Sequence, residues 1–320
     1  MTRRIAALLL ATSLIATTAA CGGDAQTPSG PQQPGQPDKV QVGVIAIVDT
    51  APIYLGKQKG FFSKRNIDLT LAPNQGGATI VPAVVSGQYQ FGFSNVVSLL
   101  IGQSRNVPVK VVANGNNSTG DPAKDFGGIV VKDPSITSPK QLEGKKVATN
   151  TLKNIVDTSV KQLVKKAGGD ASKVSFVELP FPDMTPALDA NRVDAMFVVE
   201  PFLTGALKKG WKVIGTYADV HPNLCVAMYF TSTQLMTSNP DLVRRFTEAM
   251  NESLTYAGAN PNDVRAVLGT YTQISEPVRA ELILPKFSPD VDRAAIQALG
   301  DLAVEFGTLP KAPDLGALLP

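Results

Sequence analysis

Small polar groups recur down the first half of the chain, each placed just beyond an apolar stretch. Asp49–Thr50 follows Val42–Val48, and Ala51 and Pro52 come next. Ile67–Leu71 leads through Ala72–Asn74 to Gln75–Gly76, Phe91–Phe93 to Ser94–Asn95, and Val109–Ala113 to Asn114–Gly115. The second half repeats the construction with Thr149–Asn150, with Asp183 beyond Pro180–Pro182, and with Glu200 after Val193–Val199. Amides, hydroxyls and carboxylates at the carboxyl ends of parallel strands, next to helix N-termini, are the usual makings of a ligand cleft. Asp49–Thr50, Ser94, Asn154 and Glu200 each also read as simple helix caps, and no single pair separates the two readings. The repetition is what points to a cleft.

The elements that must position these groups alternate. Val42, Val44, Ile45, Ile47 and Val48 form a run suited to a strand covered on both faces, and Pro52 fits the first turn of a helix. Val156, Val160, Leu163, Val164 and Ala167 share one face of a longer helix after Asn154. Strand and helix alternating at this spacing predict parallel-type sheets with helices on both faces, an α/β fold. Asn116–Phe126 is polar and irregular, a crossing to a second domain. After the strand Leu224–Ser232 the chain turns largely helical, with starts expected at Asn239, Asn260, Ser275 and Ser288 and a loose tail through Pro310, Pro313 and Pro320.

Composition bounds the rest. The 320 residues are 43% apolar and 18% charged with a net charge of +3, enough for two globular domains and without a basic block for nucleic acid. One histidine and two cysteines leave no His/Cys metal cluster, and there is no G-x-S-x-G, Walker loop or G-x-G-x-x-G. No catalytic residue, metal or cofactor is expected. Residues 1–20 read as an export signal: Arg3 and Arg4, then the short apolar run Ile5–Ile15. Thr18-Ala19-Ala20-Cys21 resembles a bacterial lipobox, with Thr18 in place of the commoner leucine. That resemblance implies lipidation of Cys21 and an anchor on the outer face of the cell membrane. Residues 21–38 are Gly/Pro/Gln/Ser-rich, a disordered tether. Cys225 then stands alone, in an apolar run, as a core residue.

Tyr54-Leu55-Gly56-Lys57-Gln58-Lys59-Gly60-Phe61-Phe62, Gly76-Gly77, Ser86-Gly87 and Phe91-Gly92-Phe93-Ser94-Asn95 come in that order. Leu142-Glu143-Gly144-Lys145-Lys146-Val147-Ala148, Ala187-Leu188, Val193-Asp194-Ala195 and Glu200-Pro201 follow. Over about residues 40–258 these segments resemble the periplasmic binding proteins of ABC importers, in the nitrate/sulfonate/taurine and NMT1/THI5-like (thiamine-precursor) branch. The resemblance implies a type II fold of two α/β lobes joined by two crossovers. Lobe 1 would comprise 39–113 and 216–320, and lobe 2, inserted, 114–215. It implies hinge closure on a small-molecule solute, a cognate permease and ATPase as partners, and a monomer. The pocket positions it implies are Asp49, Thr50, Ala51, Gln75, Gly76, Ser94, Asn95 and Asn114, facing Thr149, Asn150 and Asn154, with Glu200 closing the far side.

Helix N-termini favour anions, whereas the carboxylates of Asp49, Asp183 and Glu200 suit amino groups. Two uncompensated carboxylates oppose a bound anion by on the order of a few kcal/mol at an effective dielectric near 20. An amine-bearing or zwitterionic organic solute is therefore expected over bare nitrate: a thiamine-precursor pyrimidine, taurine or a sulfonate-like compound. Tyr54, Phe93, Phe181, Phe202 and Tyr229 are candidate stacking faces. Two alternatives stay open. One is a pyrimidine-synthesising enzyme of the same broad family, which consumes an active-site histidine; here only His221 is present. The other is a non-transport sensor lipoprotein on the same scaffold.

Overall fold

The β-branched and aromatic runs form ten strands in a computed structural model that describes residues 36–320. Cys21, the export signal and nearly all of the tether lie outside the described residues. In chain order the strands are β1 (Asp38–Ile45), β2 (Ile67–Asn74), β3 (Phe91–Asn95), β4 (Val109–Asn117) and β5 (Gly127–Val131). They continue with β6 (Lys146–Thr149), β7 (Ser175–Glu178), β8 (Ala195–Val199), β9 (Lys212–Thr216) and β10 (Cys225–Ser232). They make two five-stranded sheets, ordered β2-β1-β3-β10-β4 and β7-β6-β8-β5-β9.

Both sheets are mixed rather than wholly parallel. β10 runs antiparallel to β3 and β4, and β5 antiparallel to β8 and β9. The reason is connectivity. The other strands run toward the cleft, while β5 and β10 each begin there, having just crossed from the opposite lobe. Asp125 ties the two crossovers together. Its carboxylate accepts from Thr119 N at 3.0 Å and Phe126 N at 3.0 Å on one crossover, and from Ala218 N at 2.7 Å on the other.

Helices α1 (Ala51–Gln58), α2 (Gly77–Val85) and α3 (Val96–Ser104) link the strands of lobe 1. Helices α4 (Ile155–Lys166), α5 (Phe181–Asp189) and α6 (Phe202–Lys208) belong to lobe 2, and the single turn α7 (Tyr217–Val220) lies on the return crossover. After β10 come α8 (Thr233–Ser238), α9 (Pro240–Ala259), α10 (Pro261–Leu268), α11 (Glu276–Glu281), α12 (Arg293–Glu305) and α13 (Leu315–Leu318). Asn239 caps α9 by accepting from Leu242 N, with Pro240 at the first position. The buried face of α9 drives Phe246 onto Phe91, rings stacked 3.7 Å apart. Burying a phenylalanine this fully is worth about 2–3 kcal/mol, so the C-terminal helices complete the core of lobe 1.

Two sequence expectations fail in this region. Ser288 starts no helix; its hydroxyl is spent on Asp290, and α12 waits for Asp292, which accepts from Ala295 N. The tail is docked rather than loose. Leu318 and Leu319 are buried, and Lys110 and Arg293 donate to the carbonyls of Leu319 and Pro320. No helix among the described residues is long and apolar enough to cross a membrane.

Candidate functional site

β1 ends at Ile45, and the chain turns through a short 3-10 segment, Val48–Thr50, into α1. This turn carries Asp49 into the interior, where it is 2% exposed. Its Oδ1 accepts from Asn116 Nδ2 at 2.9 Å, while its Oδ2 has no partner. Burial is the main force on this carboxyl and pushes its pKa up to about 7; the Asn116 hydrogen bond opposes the rise. Asn116 is equally enclosed, and its Oδ1 is also unpartnered. Ser94 Oγ and Tyr229 OH are two further buried, unpartnered atoms on neighbouring strands of the same sheet. Four orphaned polar atoms near the cleft end of one sheet are unusual, because a buried polar group without a partner costs on the order of 1–3 kcal/mol.

Ser94 sits against the first turn of α2. A Cβ built on Gly77 would lie 2.0 Å from Ser94 Oγ, so only glycine lets the helix start this close. No side chain caps α2 at Gly76. Across the gap stands the loop before α4, whose Thr151 Oγ1 and Asn150 Nδ2 would be 3.4 and 3.7 Å from a Cβ on Gly76. Asn154 caps its own helix through Ile155 N and reaches across to lobe 1, donating from Nδ2 to Ser98 Oγ at 2.9 Å. A cavity of about 160 Å³ opens between the lobes. Ile45, Ala46, Ile47, Asn74 and Gln75 line one side, and Pro180, Phe181, Pro182 and Phe202 the other. Phe181 and Phe202 are roughly parallel, centroids 5.8 Å apart.

The remaining expected positions are engaged elsewhere. Thr50 donates to the carbonyls of Ile45 and Ile47, and Ala51 is the buried first residue of α1. Asn95 caps α3 by accepting from Ser98 N. Asn114 Nδ2 points to Asn117 Oδ1 and to the carbonyls of Ser288 and Asp290, and Cys225 Sγ lies 3.4 Å from its Oδ1. Thr149 donates to the Thr151 carbonyl. Asp183 is exposed in the first turn of α5. Glu200 is fully enclosed and fully used: Thr204 Oγ1 donates to it at 2.6 Å, Thr204 N at 3.0 Å and Ile283 N at 3.1 Å. Burial raises the pKa of Glu200, against these three donors. Among the candidate stacking faces, Phe181 and Phe202 line the cavity, Tyr54 stacks on Tyr271 at 3.7 Å, and Phe93 packs against Tyr229.

Asn116 is the residue that sequence reasoning passed over, having assigned it to the crossing segment. The signal was the run Ala113-Asn-Gly-Asn-Asn117, which continues β4 instead of ending it. Gly115 permits this, because a Cβ there would meet the Ala227 carbonyl oxygen at 2.6 Å, where the β4–β10 register shifts.

The NMT1/THI5-like family model matches residues 47–264. Among curated proteins, the chain is 24% identical over 241 residues to the taurine-binding periplasmic protein of Escherichia coli, covering 68% of this chain and 73% of that one. It is 23% identical over 242 residues to the 4-amino-5-hydroxymethyl-2-methylpyrimidine phosphate synthase of Aspergillus parasiticus, covering 69% of this chain and 68% of that one. The chain thus spans about two thirds of the length of the curated relatives it matches. Among solved structures, the alkanesulfonate-binding protein SsuA from Xanthomonas axonopodis pv. citri superposes with a TM-score of 0.75 at 17% identity, covering 89% of this chain and 99% of that one. The nitrate-binding protein NrtA from Synechocystis superposes with a TM-score of 0.77 at 15% identity, covering 88% and 86%. These likenesses establish the two-lobed type II periplasmic-binding-protein fold, and the family match establishes that the chain belongs to the NMT1/THI5-like family.

Proposed function

We propose that the chain is the extracytoplasmic solute-binding lipoprotein of an ABC importer. In this reading it captures a small organic solute between its lobes, as a thiamine-precursor pyrimidine, taurine or a sulfonate-like compound would be captured, and presents it to a permease. The observation that carries the reading is the interlobe cavity, lined from both lobes, together with buried polar atoms left without partners on lobe 1, among them Asp49, two residues beyond the cavity-lining Ile47. A rigid structural protein gains nothing from such atoms, whereas a receptor can satisfy them with its ligand. The relatives named for taurine, alkanesulfonate and nitrate binding support the same role. Cys21 would hold the protein at the membrane, and no reaction is assigned to it.

Pro37–Pro320 clusters as one compact unit, so the test is a thermal-shift screen on a chain starting there. The panel holds pyrimidine precursors, taurine, alkanesulfonates, nitrate, riboflavin and amino acids. A ligand at 100 times its Kd adds about 2.7 kcal/mol of stability, a readable rise in Tm. A hit supports solute capture; silence across a panel this broad counts against it. For the anchor, Cys21→Ser should release the protein from membranes, and unchanged membrane association would sink that part.

The relatives named as pyrimidine phosphate synthases favour a second reading, an enzyme that uses up a histidine. His221 lies in the crossover loop, its Nδ1 accepting from Asn223 N and its carbonyl from Ser118 Oγ, and it does not line the interlobe cavity. Product formation that ceases with His221→Asn would favour the enzyme.

A further inference from the structure

Asp49 and Asn116 present, side by side and out of water, two oxygens that can only accept: Asp49 Oδ2 when ionised and the Asn116 amide oxygen. Asn116 Nδ2 is already committed to Asp49 Oδ1, so the pair cannot satisfy itself by turning the amide. The titratable groups that interact with this carboxylate come from four directions and none is a cation. They are Asp125 on the first crossover, Tyr217 on α7, Tyr229 on β10 and Tyr271 ahead of α11. Tyr229 OH is itself unpartnered, and Tyr271 OH is spent on the Ile47 carbonyl at 2.9 Å. The turn that holds Asp49 begins one residue after Ile47, which lines the interlobe cavity. The position asks for N–H donors carrying positive charge, and the described residues supply none there.

We propose that Asp49 and Asn116 form a cation subsite of the cleft, filled by an ammonium or amidinium-type N–H group of the solute, which takes the place of the proton on Asp49. The inference rests on the solute-binding reading and names the group that reading leaves open. The exchange balances simply. The carboxylic acid gives its proton to solvent, the carboxylate accepts an N–H from the cation, and Asn116 Oδ1 accepts a second. The elevated pKa of Asp49 fits a carboxylate held in reserve without its counter-charge. Above about pH 7 the carboxylate is already ionised and the cation binds without a competitor; as the pH falls below that, each unit weakens binding by up to about tenfold.

The test uses the full-length chain and matched probes: taurine against ethanesulfonate, β-alanine against propionate, and 4-amino-2-methylpyrimidine against 2-methylpyrimidine. Calorimetry at pH 5.5–8, in buffers of different ionisation enthalpy, reads affinity and proton release together. The expected result is that at least one nitrogen-bearing member binds at least tenfold tighter than its partner. Below pH 7 its binding should release close to one proton, and in Asp49→Asn the affinity should fall and lose its pH dependence. Because proton release is read on the unaltered chain, the outcome does not hinge on that variant folding. Ethanesulfonate or propionate binding as tightly as its amine partner, or taurine or β-alanine, which are ammonium ions throughout this range, binding with no proton release at pH 6, overturns the cation subsite and leaves solute capture standing. Silence from every probe overturns both.

Discussion

The two lobes face each other with opposite chemistry, and the contrast is sharpest between two buried carboxylates. Glu200, on lobe 2, receives three donors and ties the end of β8 to the start of α6 and to Ile283 in the C-terminal segment. Asp49, on lobe 1, receives one from another residue, beside its own backbone N–H, and Asn116, Ser94 and Tyr229 are likewise left incomplete. The lobe 2 wall of the cavity is proline and phenylalanine. Around these two carboxylates, one site is finished as structure and the other is held unfinished at a cost in stability; lobe 2 keeps unmet atoms of its own on α4, at Asp157, Ser159 and Gln162. Burial and a polar side chain at a strand end are therefore no mark of a ligand contact by themselves; whether the hydrogen-bonding demand is met separates Asp49 from Glu200.

Four substitutions test the contrast between the two carboxylates and the lobes that hold them. A carboxyl whose pKa rises on folding binds its proton more tightly in the folded state, so stability falls as the pH climbs from about 4 to about 7 and stays low above that. Asp49→Asn should remove that penalty and stabilise the ligand-free protein at pH 8 by up to about 4 kcal/mol, with little gain at pH 4. Urea titrations at both pH values decide this, and a variant no more stable at pH 8 would show that Asp49 has a partner. Glu200→Ala should do the reverse, costing about 2–3 kcal/mol while changing solute affinity less than threefold. A large loss of affinity in protein that remains folded would return Glu200 to the binding site.

Asn154→Ala removes the interlobe hydrogen bond to Ser98 together with a helix cap, worth about 1 kcal/mol each. Small-angle scattering of the ligand-free protein should then show a larger radius of gyration; an unchanged radius means that other contacts hold the lobes together. Lys165 pairs with Glu305 across the lobes on the exposed rim. Lys165→Ala should shift stability by less than about 0.5 kcal/mol, and less still in high salt. A larger effect would make the rim a latch.

Much of this was legible in the sequence. The apolar run before Asp49 and the proline after it mark a buried strand entering a helix, and the alternation of elements indicates two lobes of sheet and helix. Patterning carries that information because it depends only on which residues must leave water. What it could not carry was the pairing of atoms. Ser94 and Asn154 look alike as candidate caps, yet one has an orphaned hydroxyl and the other spans the lobes. Asn116 was hidden because β4 runs on through a glycine at a register shift, and only the approach of Ala227 shows why that glycine is there. Ser288 carried a good capping residue, but its hydroxyl found Asp290 first.

The antiparallel strand β10 has a consequence for the order in which the molecule can assemble. The inserted lobe draws its whole sheet from one unbroken stretch, Gly127 to Thr216, so all five strands are available as soon as that stretch has been made. The other sheet must wait. Among the described residues β4 pairs with β10, synthesised roughly a hundred residues later, and through a single bridge from Asn117 with Lys286, later still. Until Cys225–Ser232 arrives, β3 has one bare edge and β4 has no neighbour at all, a long-range closure of the kind that slows folding and leaves strand edges open to wrong partners. A chain cut at Leu224 would carry one complete sheet and one in two pieces, and its first half, which holds β1 to β4, would be the part that aggregates.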